Sequence, residues 1–458
     1  MNERESFKSR MGFILVSAGC AIGIGNVWRF PYIAGKYGGA VFVLFYMIFL
    51  FAMGWPIMTM ELSIGRGSKK SAGEGMAFLG KSKKWKWYGL FAYMGCFILM
   101  MYYNTVSGWM MAYIYEMARG KFTSVGEKGA SKIFTDMIGN PSYTIFWMIL
   151  SIVIGFLVVG KGLQNGVEKI TKPMMISLFG LMTILAFRSF MLPGGENGLA
   201  FYLLPDIKRA LDQGILNVIS AAMGQAFFTL SLGVGAIAIF GSYIGKDHSV
   251  PSEARTIILL DTFVAMMSGL IIFPACFAYN VNPGSGPSLI FIALPEVFSR
   301  MPGGRLWGTI FFVFMSFASL STVIAVFENL VSIFMETFSM GRKKAVIINA
   351  LLVTLFSIPC PLGFNILSNI HPMGKGSTIM DLEDFIVSNN MIPIGTLIII
   401  IFCVSKKYGW GFKNFIEEAN TGDGAKFSKK FERYFKTALP ILIILIIISG
   451  YCQLFGKN

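Results

Sequence analysis

The sequence predicts an all-α protein that crosses a lipid bilayer many times, with eleven transmembrane helices. Three observations predict it. Of 458 residues, 55% are apolar and only 14% charged, with a mean hydropathy of +0.64, whereas a soluble domain is nearer about 25% charged. Apolar runs of the ~20 residues needed to span a bilayer recur along the chain; barrel strands would alternate every second residue over about 10 residues, and these runs do not. Two of the runs, the first and the sixth, are interrupted in their middles by glycines and polar residues.

The net charge of +15 raises the question of a nucleic-acid partner. Roughly two thirds of the Lys and Arg residues fall on one set of alternating loops, which is the bias of cytoplasmic loops. The expected surroundings are therefore a lipid bilayer and no nucleic acid. Cys20, Cys96, Cys276, Cys360, Cys403 and Cys452 lie in or beside apolar runs without metal-ligand spacing, and read as reduced packing residues. No Asn-x-Ser/Thr acceptor occurs, because Asn140 precedes Pro141; this suits a bacterial cell membrane.

Taken in order, the charged start to Arg10 is placed inside. Span 1 covers about 11–34 and is read as a span and not a signal peptide, because it runs on into a polar motif. Span 2 covers about 40–65, with Glu61 near its inner end. The Lys-rich stretch 66–86 lies inside. Span 3 covers about 87–117 and contains Tyr102 and Tyr103; 120–142 is an outer loop. Span 4 covers about 143–159, 161–172 is a short inner loop, and 173–190 is the core of span 5. The second half repeats this plan upside down: outer loop 192–214, span 6 at about 215–244, inner loop 245–253 and span 7 at about 256–278. Outer loop 283–304 follows, with an apolar stretch at 288–297 read as a short helix over the entrance. Span 8 covers about 307–338, span 9 345–359, span 10 384–404, and 405–436 is a basic inner segment. Span 11, at about 438–454, leaves the C-terminus outside. The chain is thus one transporter-like domain, 1–458, with halves at about 11–190 and 215–404 plus a further helix.

The first interruption is GCAIGIGNVWRFP, from Gly19 to Pro31. Gly costs about 1 kcal/mol in a helix interior, and an unpaired backbone group in lipid costs several more. A break survives there only if its freed groups face protein, water or a ligand. The bland alternative is a glycine-lined packing face between helices. The second interruption, QAFFTLSLGVG from Gln225 to Gly235, occupies the corresponding position in the other half, and paired interruptions of this kind point to a carrier binding site. With both stretches in view, the chain resembles the neurotransmitter:sodium symporter family, and within it bacterial amino-acid carriers such as the leucine transporter. The resemblance runs from about Arg4 to Asp384. It implies a 5+5 inverted-topology repeat with helices 1 and 6 broken. The leucine transporter has a twelfth helix that is absent here, so no dimer contact carries over and a monomer is expected.

Intramembrane polar residues are functional candidates by default. By resemblance, one sodium site uses the Ala21 carbonyl, Asn26, Thr229 and Asp261. The other uses the carbonyls of Gly19, Ile22 and Ala318 and the hydroxyls of Ser321 and Thr322. The substrate carboxylate would meet N–H groups near Ile24 and Gly25 and the hydroxyl of Tyr103. Its amine would meet carbonyls of Ala21, Phe228 and Thr229 and the hydroxyl of Ser231, and its side chain Cys20, Leu99, Phe228, Val234, Val323 and Val326. Gly23 stands where monoamine carriers of the family have an aspartate, so the expected substrate brings its own carboxylate. Arg29 and Asp384 would form an outer gate with Phe228 as a lid. Arg4, Glu336 and Tyr243 would form an inner gate, where Phe7 replaces the family's tryptophan and could loosen the seal. For Glu61 and Glu328, interhelical hydrogen bonding is an equal alternative. Ala265 replaces a chloride-binding serine, and Asp261 a neutral asparagine, so chloride independence is expected.

The resulting expectation is sodium-coupled symport of a hydrophobic or aromatic L-amino acid by alternating access, with two sodium ions. Two alternatives stay open: proton coupling on the same fold, with Asp261 as the carrier because His248 and His371 lie in loops, and a receptor that binds the amino acid without moving it. No HExxH or GxSxG motif occurs, so an enzyme is not expected.

Overall fold

Long Leu-, Ile- and Phe-rich runs whose flanks carry Gly, Pro and Lys fold as helices because a bilayer leaves no other way to satisfy a spanning backbone. The computed structural model describes residues 5–123, 125–284 and 288–455, and among the described residues there is no β-strand. The first span is two helices, α1 (Arg10–Ala21) and α2 (Gly25–Lys36), bent by 55° at their break. Then come α3 (Ala40–Ser68), α4 (Lys83–Ala118), α5 (Pro141–Gly160) and α6 (Leu163–Phe190). The second interruption separates α7 (Ile215–Thr229) from α8 (Ala236–Gly241). The remaining long helices are α9 (Val250–Ala278), α10 (Gly304–Phe338), α11 (Arg342–Leu362), α12 (Ile379–Val404) and α13 (Lys429–Cys452). Among the described residues, nine helices are long and apolar enough to cross a membrane, and the bent pair α1 and α2 makes up to ten. The span read at 215–244 is represented by the 15-residue α7 and the six-residue α8.

Several sequence-based boundaries are corrected. The stretch 161–172 is not a loop beyond Gly162. Gly162 turns the chain with φ 86°, and α6 starts at Leu163 because Glu5 Oε2 accepts the Leu163 N–H at 2.7 Å. Outer loop 120–142 holds the helix Glu127–Ile138, and 192–214 holds Gly195–Leu203 and Ile207–Asp212. Span 6 stops at Gly241, and α9 begins at Val250 with Pro251 in its first turn, where a missing N–H costs nothing. The start of α12 moves back to Ile379, since Thr378 and Asp381 cap it reciprocally. The apolar stretch at 288–297 is helical over 289–300, as expected.

Helix α10 is the central pillar, packed against α1, α4, α5 and α6, while α13 is the least buried long helix. Close approach at the inner end of α3 depends on two glycines. A Cβ on Gly65 would collide with the Ala238 carbonyl, and one on Gly241 with the Leu62 carbonyl, 2.9 Å from Leu62 Cα. Backbone therefore meets backbone, and α8 is held against α3 despite its shortness. Gly65→Ala and Gly241→Ala should each lower the thermal midpoint of the detergent-solubilised protein by several degrees, since overpacking costs about 1–3 kcal/mol. Gly180→Ala, on an open face of α6, should leave it unchanged or raise it; equal behaviour of all three variants would refute this packing.

Candidate functional site

The break after α1 starts at Ile22, whose backbone is extended (φ −69°, ψ 100°) while its N–H still bonds Ala18 O. The last turn of α1 is thus left with free carbonyls, and two hydroxyls of α10 approach them. Thr322 Oγ1 donates within reach of Gly19 O and Ile22 O, both at 3.2 Å. Ser321 Oγ lies 3.3 Å from Ile22 O and 2.9 Å from Ala318 O. The five oxygens expected for one sodium site therefore converge, all on buried residues. They are neutral and hard, which suits a small monovalent cation. Among the described residues no group of three or more His, Cys, Asp or Glu is placed to hold a metal ion.

The other constellation sits across the break. Asn26 Nδ2 donates to Asp261 Oδ1 at 2.8 Å and to the Asp261 carbonyl at 3.0 Å, and Asn26 Oδ1 accepts the Gly23 N–H at 3.3 Å. Thr229 Oγ1 lies 3.5 Å from Asp261 Oδ2. Asp261 is fully buried, and among the described residues no Lys or Arg pairs with it. Burying a carboxylate without a counter-charge is expensive, and a cation held by Asp261, Asn26 and Thr229 would offset that cost. Ala21, whose carbonyl was assigned to the same site, ends α1 and is buried.

The second break runs from Leu230 to Gly235. Ser231, Gly233 and Gly235 all take the left-handed backbone region, with φ 49°, 92° and 67°. The Glu61 carboxylate accepts the Gly233 N–H of this break, an interhelical hydrogen bond. Tyr88 donates to Gly233 O at 2.8 Å, and Cys96 Sγ reaches Val234 O at 3.5 Å. The two breaks also touch, because Gln225 Nε2 donates to Gly25 O at 2.9 Å.

Ile24, Gly25, Tyr103 and Phe228 line a cavity of about 360 Å³ that also contains Arg29 and Asp384. Tyr103 accepts the Ile24 N–H at 3.1 Å. Cys20, Leu99, Val234 and Val326 are buried and are not among the residues that line this cavity. Val323 packs toward Gly155 of α5, where a Cβ would lie 2.8 Å from its Cγ1. The sequence reading missed most of the cavity's aromatic wall, Trp28, Tyr32, Trp109, Phe134, Phe291 and Phe364. These come from five separate segments, and no local spacing marks them.

Arg29 and Asp384 were expected to pair across the vestibule through water, and among the described residues they form no direct ion pair. Arg29 instead lies over the Phe228 ring, 4.1 Å from its centroid, and Asp384 accepts from Tyr102 at 3.0 Å and Ser388 at 2.7 Å. On the inner side Arg4 lies outside the described residues. Glu336 accepts from Ser71 N and Oγ. Tyr243 donates to Glu328 Oε1 at 2.8 Å, and Glu328 pairs with Arg342 at 2.7 Å, which gives Glu328 a structural role beside that gate. Phe7 packs edge-on against Phe13 and Tyr243, both with centroids at 5.8 Å.

Two broken helices whose freed carbonyls meet hydroxyl, amide and carboxylate oxygens deep in a helical bundle define a class, the multi-pass membrane proteins that handle small hard cations. Comparison with known proteins narrows it. Residues 4–124 and 127–457 match the model of the sodium:neurotransmitter symporter family. The uncharacterized sodium-dependent transporter YhdH of Bacillus subtilis is 33% identical over 451 residues, covering 98% of this chain and 97% of that protein. An uncharacterized sodium-dependent transporter of Haemophilus influenzae is 32% identical over 460 residues, with 98% of each chain covered. The crystal structure of MhsT in complex with L-phenylalanine superposes with a TM-score of 0.87 at 35% identity, covering 98% of this chain and 100% of that one. The chain belongs to the sodium:neurotransmitter symporter family. Its family is one of sodium-coupled membrane transporters, not of enzymes.

Removing both α10 hydroxyls, in Ser321→Ala with Thr322→Val, should raise the sodium concentration that gives half-maximal substrate binding by about tenfold or more, as expected when two charge-assisted contacts are lost. The double variant should weaken sodium binding more than it lowers the melting temperature measured without sodium, because the same hydroxyls also partner the freed carbonyls of Gly19 and Ile22. An unchanged sodium titration would remove these residues from the ion site.

Proposed function

We propose that this chain is a symporter that couples the inward flow of sodium to uptake of a hydrophobic or aromatic L-amino acid, working by alternating access and without chloride. The observation that carries the proposal is the convergence of break-freed carbonyls with Ser321 and Thr322 on one side and with Asn26, Thr229 and Asp261 on the other. We assign one sodium ion to each constellation. About 100 mV moves one charge with about 2.3 kcal/mol, and a tenfold gradient adds about 1.4 kcal/mol. Two ions would then supply roughly 7 kcal/mol, enough for about 10⁵-fold accumulation of a zwitterion. We further propose eleven spans, with α7 and α8 as a second broken one, arranged as 5+5 inverted repeats plus α13. The N-terminus is assigned to the cytoplasm and the C-terminus to the outside of a bacterial cell membrane, in a monomer.

The substrate class follows from crowding at position 23. A Cβ there would collide with Tyr103 Oη and lie 2.6 Å from Thr322 Oγ1, so the protein cannot place an acid at this point without moving both. The carboxylate beside the first sodium then comes from the substrate. Tyr103 uses an acceptor position on Ile24 N–H and keeps its own proton for that carboxylate. The expected side-chain pocket, with Cys20, Leu99, Val234 and Val326 buried, carries no charge, which disfavours charged side chains. Leu99 fills space, while the L-phenylalanine in the MhsT structure supports a pocket that takes large ones.

Uptake into proteoliposomes tests the proposal. Labelled leucine, phenylalanine, tyrosine or tryptophan should accumulate with an inward sodium gradient and not with choline. A competition panel won by glycine or lysine would refute the substrate class, and binding without uptake would leave a receptor in place of a carrier.

Chloride should be dispensable, because Asp261 supplies the negative charge and the buried Ala265 offers no hydrogen bond to an anion. Replacing chloride by gluconate should leave wild-type uptake unchanged and lower that of Asp261→Asn. A wild type that stops in gluconate would defeat the charge-substitution argument.

A further inference from the structure

The inner ends of α1 and α6 are capped crosswise. The first turn of α1 contains no acidic residue, and its N-cap Ser9 accepts the Gly12 N–H at 3.0 Å. The negative charge that a helix N-terminus favours comes instead from Glu168 of α6. Its carboxylate accepts the Lys8 N–H at 2.8 Å and the Ser9 hydroxyl at 3.3 Å, and Glu168 is only 5% exposed. Gly12 leaves the room, since a Cβ there would overlap the Glu168 carboxylate.

The start of α6, unlike that of α1, has no side chain of its own to cap it. Its N-cap is Gly162, which has no side chain, and its first turn has no acid. Glu5, just ahead of α1, supplies the carboxylate: Oε2 accepts the Leu163 N–H at 2.7 Å, and Gln164 Nε2 donates to Ser6 O at 2.7 Å. Each helix start thus borrows its acid from the other. Glu5 also stands 3.6 Å from Arg342, whose partner Glu328 holds Tyr243.

We propose that Glu5 and Glu168 are positioning residues that hold the inner end of the transport pathway shut through this crossed pair of caps. The proposal rests on the alternating-access reading. Moving α1 away from α6 strips both helix starts of their caps and leaves Glu168 without partners, so the two caps break together when the inner side opens. Their strength sets how often it opens.

The test uses thiol labelling of the full-length protein in detergent, in a Cys452→Ser background that removes the exposed cysteine, the other five being buried. Ile244→Cys reports on the inner cavity, which Phe7, Lys8 and Tyr243 also line. Met380→Cys reports on the outer one. In a fixed sodium buffer, Glu168→Ala should raise labelling at 244 by about tenfold, the usual worth of a lost cap, and lower it at 380. Glu5→Ala should act in the same direction, and the double variant should add little, because the caps fail as a unit. Glu168→Gln, whose single amide oxygen can keep the Lys8 N–H but which lacks the charge and the second acceptor, should fall between the parent and Glu168→Ala. Labelling that is unchanged at 244, or that rises at both reporters as in general loosening, would overturn the proposal. Should Glu168→Ala not fold, the half-exposed Glu5→Ala decides by the same two criteria. A parent whose labelling ignores sodium would instead count against the transport reading, while the ratio of variant to parent still judges the caps.

Discussion

The need to satisfy every backbone group away from water governs the rest of this structure. Two helices stop in the middle of the bundle, and many of the freed groups have an identifiable partner. Gly23 N meets Asn26 Oδ1, Ile24 N meets Tyr103, and Ile22 O meets Ser321 and Thr322. Gly25 O meets Gln225, Asn26 O meets Ser268, and Gly233 is held by Glu61 and Tyr88. An orphaned group would cost several kcal/mol in a lipid-bounded interior, so the breaks cannot persist without these partners. The polar residues that look like a binding site are therefore also what permits the fold. A site of this kind is difficult to remove by mutation without disturbing the helices that present it.

Charge compensation separates structural from functional acids. Glu328 is fully buried, yet both its oxygens face Arg342, with Tyr243 and Ser332 beside them. Such an acid is satisfied by the protein alone. Glu61 has backbone N–H donors in the second break, Gly233 first. Asp261 is as deeply buried and has only neutral partners, Asn26 and Thr229. Neither Glu61 nor Asp261 meets a Lys or Arg among the described residues; Asp261 differs in facing the amide of Asn26 and the hydroxyl of Thr229, oxygen-bearing groups beside which a bound cation would offset its charge.

The sequence made the bundle legible because each span repeats a strong local signal, and the two breaks stood out because glycine and polar residues are costly there. The oxygen set of Gly19, Ile22, Ala318, Ser321 and Thr322 was named through family resemblance. Periodicity alone could not have joined residues some 300 positions apart. What escaped depended on approach in space. The start of α6 was hidden because its cap comes from Glu5. The aromatic wall of the outer cavity was missed because its rings come from α2, α4 and the outer segments between long helices.

The outer gate shows how such a protein can move without a large barrier. Arg29 rests on the Phe228 ring, and Asp384 is satisfied by Tyr102 and Ser388. A cation–π contact near the surface is worth about 0.5–1 kcal/mol, and an exposed ion pair about 0–1 kcal/mol. Bringing Arg29 to Asp384 would exchange partners of nearly equal worth, so neither arrangement traps the protein. Phe228 joins this balance to the binding site, since its ring also lies 3.3 Å from where a Cβ on Gly25 would sit. A ligand that settles against Gly25 must share space with that ring, and moving the ring moves the platform under Arg29. Occupancy of the site and position of the gate are then linked through one side chain, with no need for a long chain of intermediates.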